Sequence, residues 1–317
     1  MTGLDLPSLV TAVPGPRSRA RIDALARHEC PAITARRARR AESLGVADDD
    51  PIVWESAVGA NVRDVDGNVY VDLTSGFGVA LVGHRDPEVV AAASRQAARL
   101  VHAMGDAWPD DTRITLLERL AAACATDPGG GPLSVAILGL SGSDAIDAAI
   151  KTAALATGRT GVLAFSGAYH GLALGVLGLQ GYKAEFTEPF RAITHPGVVH
   201  LPYGGPIAAV RDALGSGRIG LVLVEPILGR GGISVPPDGW LADVAAAARS
   251  AGALFALDEI QTGIGRTGAP FAGPAAGVVP DLLCVGKALG GGYPLSACVG
   301  TPAVMAAWGG SRGEAIH

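Results

Sequence analysis

The sequence predicts an α/β fold, a mostly parallel sheet sandwiched by helices, with part of a smaller α+β domain at its N-terminal end. Three observations point there. Short apolar runs recur at 133–138, 161–165, 219–224, 254–257 and 281–285. They are continuously apolar rather than alternating, as expected for strands covered on both faces. Helical patterns lie between several of them, notably at 144–156 and 241–251, and this alternation is the signature of a sheet joined by helical crossovers.

Taken in order, the first element is a basic helical stretch from Ser18 to Arg27, followed by a loop. The run "ANVRDVDGNVYVDL" then reads as a β-hairpin turning at Asp66–Gly67, because Asp-Gly supplies the positive φ angles of a tight turn. Residues 1–75 are therefore assigned to an N-terminal segment contributing to a small domain, and residues 76–317 to the large domain. In "DPEVVAAASRQAARLVHAMG", Asp86 is the N-cap, Pro87 the first helical residue and Gly105 lies past the end. Val89, Val90, Ala93, Ala97, Leu100 and Val101 make its apolar stripe. A second helix fits Asp111 to Ala125, after which the strand–helix alternation begins.

Composition narrows the function. With 317 residues, 49% of them hydrophobic, the chain has enough apolar side chain for a sizeable core. A net charge of −5 argues against a nucleic-acid surface. No window holds 18 uninterrupted apolar residues, so no membrane span is expected. The N-terminus lacks the apolar core of a secretory signal. Cys30, Cys124, Cys284 and Cys298 show no metal-ligand spacing, so reduced thiols in a cytoplasmic protein and no metal site are the expectation.

Open α/β sheets bind ligands at the carboxyl ends of their strands. After the first run comes "GLSGSDAIDAAIKTA", where the chain turns at Gly142 and enters a helix near Ser143. A helix start offers free N–H groups and a positive dipole end, which suit a phosphate. Ser141 to Asp144 is equally an ordinary capping box. After the second run, Tyr169 and His170 sit in "SGAYHG"; an aromatic there either stacks on a flat ligand or covers the sheet edge. After the third comes Glu225, in "EPILGRGG", and after the fourth Asp258 and Glu259, in "DEIQTGIGRTG". A buried acid is costly unless paired, either with a cationic ligand or with an arginine such as Arg266. After the fifth comes Lys287, an amine delivered by an apolar strand into a glycine-rich turn. Together the strand ends supply a phosphate-suited turn, an aromatic, acids and a lysine, the set that pyridoxal 5'-phosphate needs.

These residues sit in stretches that resemble the class III aminotransferases: "GNVYVDLTSGFGVALVGHRDPEVV", "LSGSDAIDAAIKTA", "FSGAYHG", "EPILGRGG", "LFALDEIQTGIGRTG" and "PDLLCVGKALGGGYPLSACVG". They follow the family's order from about residue 50 to 302. The resemblance implies the large-domain fold of pyridoxal-phosphate transferases and a set of roles. Lys287 would hold the cofactor as a Schiff base and Asp258 would pair with its ring nitrogen. Ile260 and Tyr169 would sandwich the ring, Gln261 would reach the ring hydroxyl, and Gly142 with Ser143 would bind the phosphate. Glu225 would line the substrate side. The implied reaction moves an amino group from an amino acid or amine to a 2-oxo acid, in a homodimer. A racemase or epimerase of the same family, or an inactive fragment, are the alternative readings.

Two departures from the family pattern stand out. Arg230 occupies a position where family members often carry a small or acidic residue; it either meets a substrate carboxylate or lies on the surface. The family also usually continues through a Thr-containing stretch into a C-terminal small domain. The sequence reaches His317 without either, so a truncated member with a weakened grip on its cofactor is expected.

Overall fold

The computed structural model describes residues 1–32, 51–105, 107–125 and 133–310, with isolated positions 39, 42 and 45. Much of the loop expected after the basic helix lies outside these residues. So does the chain from residue 311, on which the expectation about a C-terminal domain rests. Two compact units divide the chain, 1–101 and 102–317. The boundary falls after the helix that begins at Pro87.

In the N-terminal unit, helix α1 (Pro16–His28) starts with its proline in the first turn, where a missing N–H costs nothing. Strands β1 (Trp54–Val58), β2 (Asn61–Asp64) and β3 (Val69–Val71) form an antiparallel sheet in the order β1-β2-β3. The expected hairpin is β2–β3, turning through Gly67 at φ 94°. Helix α2 (Pro87–Arg99) is capped by Asp86, whose side chain accepts from the Glu88 and Val89 N–H groups. It ends at Arg99, short of the glycine at 105, because Leu100 turns to extended backbone.

A half-buried acid organises the loop after β3. Asp72 accepts from Thr74, from the Gly76 N–H and from His84 Nε2 at 2.8 Å. Burial alone would push its carboxyl up, but these hydrogen bonds outweigh it and hold the pKa at about 2. A carboxylate depressed on folding adds stability above its unfolded pKa, and that stability is lost as pH falls through the folded value. Asp72→Asn is therefore expected to cost about 2 kcal/mol at neutral pH. The difference from wild type should vanish between pH 4 and 2 in urea titrations (about the unfolded and folded values).

The C-terminal unit is built on a seven-stranded sheet in the order β4-β10-β9-β8-β7-β5-β6. Its strands are β4 (Val135–Gly139), β5 (Gly161–Phe165), β6 (Val198–Leu201), β7 (Ile219–Val224), β8 (Leu254–Asp258), β9 (Leu282–Val285) and β10 (Ser296–Gly300). The five apolar runs are all strands. Two strands were not expected. β6 is an edge strand with two exposed residues in its four, so it lacks the continuous burial of the others. β10 sits inside the glycine-rich stretch read as a turn, and runs antiparallel between β4 and β9. The remaining pairs, from β9 through β8, β7 and β5 to β6, are parallel.

Strand alternation divides the core in two. Val162 and Ala164, Leu221 and Leu223, Ala256, Leu282 and Cys284 face helix α4 (Gly142–Thr157) and its alanines 145, 148, 149 and 153. Small side chains there let the helix lie close to the sheet. Leu163 and Phe165, Val222 and Val224, Phe255 and Leu257, Leu283 and Val285 face the other way. They pack with α3 (Asp111–Ala125), α5 (Ile207–Leu214) and α6 (Trp240–Ser250). Both faces of the central strands are covered, which is why their sequence reads as unbroken apolar runs.

Candidate active site

Because β5, β7, β8 and β9 are parallel, their carboxyl ends share one edge of the sheet. β4 joins them there, since its last residue Gly139 pairs with Ser296, the first of antiparallel β10. At that edge lies a cavity of about 230 Å³. It is lined by Ser141, Gly142, Ser143, Tyr169, His170, Gly171, Leu172, Glu225, Arg230, Asp258, Ile260, Gln261 and Lys287. All eight residues singled out from the sequence are therefore brought to one place: Gly142, Ser143, Tyr169, Glu225, Asp258, Ile260, Gln261 and Lys287.

The wall contributed by β4 and α4 keeps both readings of its helix start. Ser141 and Asp144 form the capping box. Asp144 Oδ2 accepts from the Leu140 and Ser141 N–H groups at 2.9 and 2.8 Å, so its negative charge is already engaged. Gly142 and Ser143 open the helix, where N–H groups find no acceptor within the helix. A Cβ on Gly142 would lie 2.9 Å from Ile260 Cδ1, so the glycine is what lets Ile260 occupy its place in the cavity wall.

Gly171 is held more tightly. Its φ is 114°, a conformation that L side chains rarely adopt, and a Cβ there would meet Ser143 Oγ at 2.1 Å. Gly171→Ala is expected to displace Ser143 and to cost about 1–3 kcal/mol in folding free energy. Denaturant unfolding measures the cost, and a stability equal to wild type would show that the turn relaxes freely.

The acids differ sharply. Asp258 is buried at the end of β8 and its Oδ2 lies 2.7 Å from His170 Nδ1, while Oδ1 accepts from the Ile260 N–H. Its protein partner is thus His170, and not an arginine. Glu259, one residue on, is not among the lining residues. It accepts from Thr262 Oγ1, the Ala272 N–H and the Gly273 N–H, which is a structural role. Glu225 accepts from the Tyr169 and Gly229 N–H groups at 2.7 and 2.9 Å. Burial and the nearby charge of Asp258 still hold its carboxyl above the usual range.

His170 was not among the residues singled out for the site. Burial disfavours its charged ring, but the hydrogen bond and charge of Asp258, then the charge of Glu225, outweigh burial and raise its pKa. Its Nε2 is buried with no hydrogen-bond partner among the described residues. The available signal was its place beside Tyr169, in a glycine-flanked turn directly after a fully buried strand.

Lys287 follows β9 with φ 42°, in the left-handed region, where a non-glycine residue stores strain. Burial lowers the pKa of its amine, Asp258 and Glu225 oppose this, and Arg230 lowers it further. The net result is an amine more readily neutral than a surface lysine. Such an amine is a competent nucleophile and proton acceptor.

Comparison with known proteins adds an independent line. Residues 45–315 match the family model "Aminotransferase class-III". Acetylornithine aminotransferase from Methanothermobacter thermautotrophicus is 38% identical over 258 residues, covering 81% of this chain and 63% of that protein. 5-Aminovalerate aminotransferase from Pseudomonas aeruginosa is 34% identical over 282 residues, covering 85% and 65%. Among solved structures, an ornithine aminotransferase from Toxoplasma gondii described with partial occupancy of PLP at its active site superposes with a TM-score of 0.76. It is 29% identical, covering 84% of this chain and 62% of that one. The chain spans about three-fifths of the length of the curated relatives it matches.

Proposed function

The chain belongs to the class III aminotransferase family, and from that premise we propose that it transfers an amino group from an amino acid or amine to a 2-oxo acid, using pyridoxal 5'-phosphate. The observation that carries the proposal is the meeting of Lys287, Asp258, Tyr169, Ile260 and the 142–143 helix start in one cavity. These residues fit the cofactor. The helix start suits its phosphate. Tyr169 and Ile260 offer an aromatic and an apolar wall for its ring, with Gln261 beside them for the ring hydroxyl. Asp258 would hold the protonated ring nitrogen and Lys287 the aldehyde carbon.

When bound, pyridoxal phosphate supplies an electrophilic carbon for amines and a ring that withdraws electrons from the substrate's α-carbon. The protein does the rest. The Lys287 amine lines the cavity where it would take the proton from a substrate's α-carbon and give it back. The hydrogen bond with His170 orients the Asp258 carboxyl in a buried place, where electrostatic contacts have most effect. Glu225, anchored by two backbone N–H groups, lines the same space beside Asp258.

A second copy of the chain as partner is part of the proposal. Leu172, a lining residue of the cavity, is partly exposed, and so is Leu140, next to the cavity-lining Ser141. Apolar side chains gathered about a site mouth suit coverage by another subunit, and sedimentation velocity tests it. A cytoplasmic location completes the reading, supported by four free cysteines. Among the described residues no helix is long and apolar enough to cross a membrane.

The direct test is an absorbance spectrum of the purified chain with pyridoxal phosphate, followed by borohydride and peptide mass mapping. A reduced adduct on Lys287 is expected. A chain that takes up no cofactor, or an adduct on another lysine, would refute the proposal.

A further inference from the structure

Cys284 and Cys298 stand directly opposite each other on the antiparallel strands β9 and β10. Opposite residues project to the same face of a sheet, and both thiols are fully buried in the core under helix α4. The Cys284 carbonyl accepts from the Glu259 N–H at 2.8 Å, on the β8 side. Its backbone groups therefore turn away from β10, and the two cysteines occupy a non-hydrogen-bonded position. Cα atoms at such a position stand about 4.5 Å apart, within the roughly 4.4–6.8 Å that a disulfide spans. The sulfurs are already in contact: the two thiols share a hydrogen bond, and Cys284 Sγ lies 3.4 Å from the Ala145 carbonyl oxygen of α4. The other cysteines are placed elsewhere, Cys124 in the core on the opposite face of the sheet and Cys30 exposed.

We propose that Cys284 and Cys298 are a two-electron redox site, at which a hydroperoxide joins them in a cross-strand disulfide that ties down the turn carrying Lys287. The site stands whether or not the cavity performs amino transfer. One thiolate attacks the peroxide O–O bond, becomes a sulfenic acid and releases an alcohol, or water from hydrogen peroxide. The second sulfur then attacks the sulfenic sulfur and water leaves. In sum the two thiols lose two protons and two electrons, and the O–O bond takes them up. The hydrogen bond from Cys298, then burial, push the Cys284 thiol well above its usual range. The first step is therefore slow, because the thiolate is the nucleophile. The second is fast, because the partner sulfur is already at hand. Burial keeps large oxidants out, but Asp258, the strand neighbour of Cys284, lines the cavity. A small hydroperoxide there is one strand away from the pair. The bond would close the loop 285–297, which holds Lys287 and glycines 290–292. A covalent tie between its two ends restricts how far that loop opens.

In the test the purified full chain, reduced beforehand, is exposed to hydrogen peroxide without denaturant. It is then blocked with N-ethylmaleimide in urea and digested with trypsin. Cleavage after Lys287 puts the two cysteines on separate peptides. A disulfide therefore appears as their linked mass and disappears on treatment with dithiothreitol. The linked pair is the expected main product. Amide exchange over residues 286–295 should slow roughly tenfold in the oxidised chain and recover on reduction. Cys298→Ala should show neither the linked peptides nor the slowing, and Cys284→Ala is the second control, in case one variant fails to fold. Unlinked cysteines after peroxide, a sulfinic acid at either position, or linkage to Cys30 or Cys124 would overturn the site. A linked pair with unchanged amide exchange would overturn its hold on the Lys287 turn.

Discussion

Lys287→Ala is expected to abolish the borohydride-reducible adduct and to slow the half-reaction with an amino donor by ~10³-fold or more, the loss of a positioned proton-transfer group. Stability should not fall with it. An amine whose folded pKa is lowered makes its charged form a burden on the native state at neutral pH. Removing that amine relieves the burden, so the thermal midpoint of the variant should equal or exceed that of wild type. The same lowered pKa fixes the sign of the pH profile. Uptake of pyridoxal phosphate by the cofactor-free wild type, which needs the neutral amine, should rise with pH and level off below the pH at which an ordinary lysine loses its proton. A half-reaction that survives the substitution would remove Lys287 from the chemistry.

Asp258→Asn is the second large effect. The amide keeps the shape and can still accept from His170, but carries no charge to hold a proton on the opposing ring nitrogen. A loss of ~10²–10³ in the half-reaction rate is expected, the scale of a single preorganised electrostatic contact. A pH signature accompanies it. His170 has a folded pKa raised above 6.5 by Asp258 and Glu225 against its burial. A group raised on folding contributes stability that is fully present below its unfolded pKa, and loses it as pH rises through the folded value. The stability gap between wild type and Asp258→Asn should therefore be widest below about pH 6.5 and narrow as the pH rises above it. Urea titrations across this range read the gap; a gap that widens with pH would show that the pair is not charged as described. Glu225 remains as the other acid facing the ring, and His200 also interacts with His170. An Asp258→Asn, Glu225→Gln double variant separates the two acids.

Much of this was legible from residue order. The apolar runs are strands because unbroken burial on both faces leaves no room for polar alternation. Gly142–Thr157 begins where Ser141 and Asp144 cap it, within two residues of the stretch expected. Each residue chosen for the site ends or follows a strand, and parallel neighbours carry strand ends to one edge. β6 and β10 were missed for different reasons: one is an edge strand with mixed exposure, the other is fully buried but follows closely on glycines 290–292, which dominate its neighbourhood.

What the sequence determined by itself was local: periods, caps, and the kinds of side chain that stand at strand ends. Only the tertiary structure decided how those side chains were turned and with whom they met. Asp258 and Glu259 are adjacent acids, indistinguishable by composition, yet one lines the cavity and the other caps the Ala272–Gly273 turn. His170 acquires its partner the same way, from Asp258, far off along the chain. The reason is physical. Dihedral preferences and periodicity act over a few residues, whereas pairing at a strand end depends on sheet order and register, which the packing of the whole unit sets.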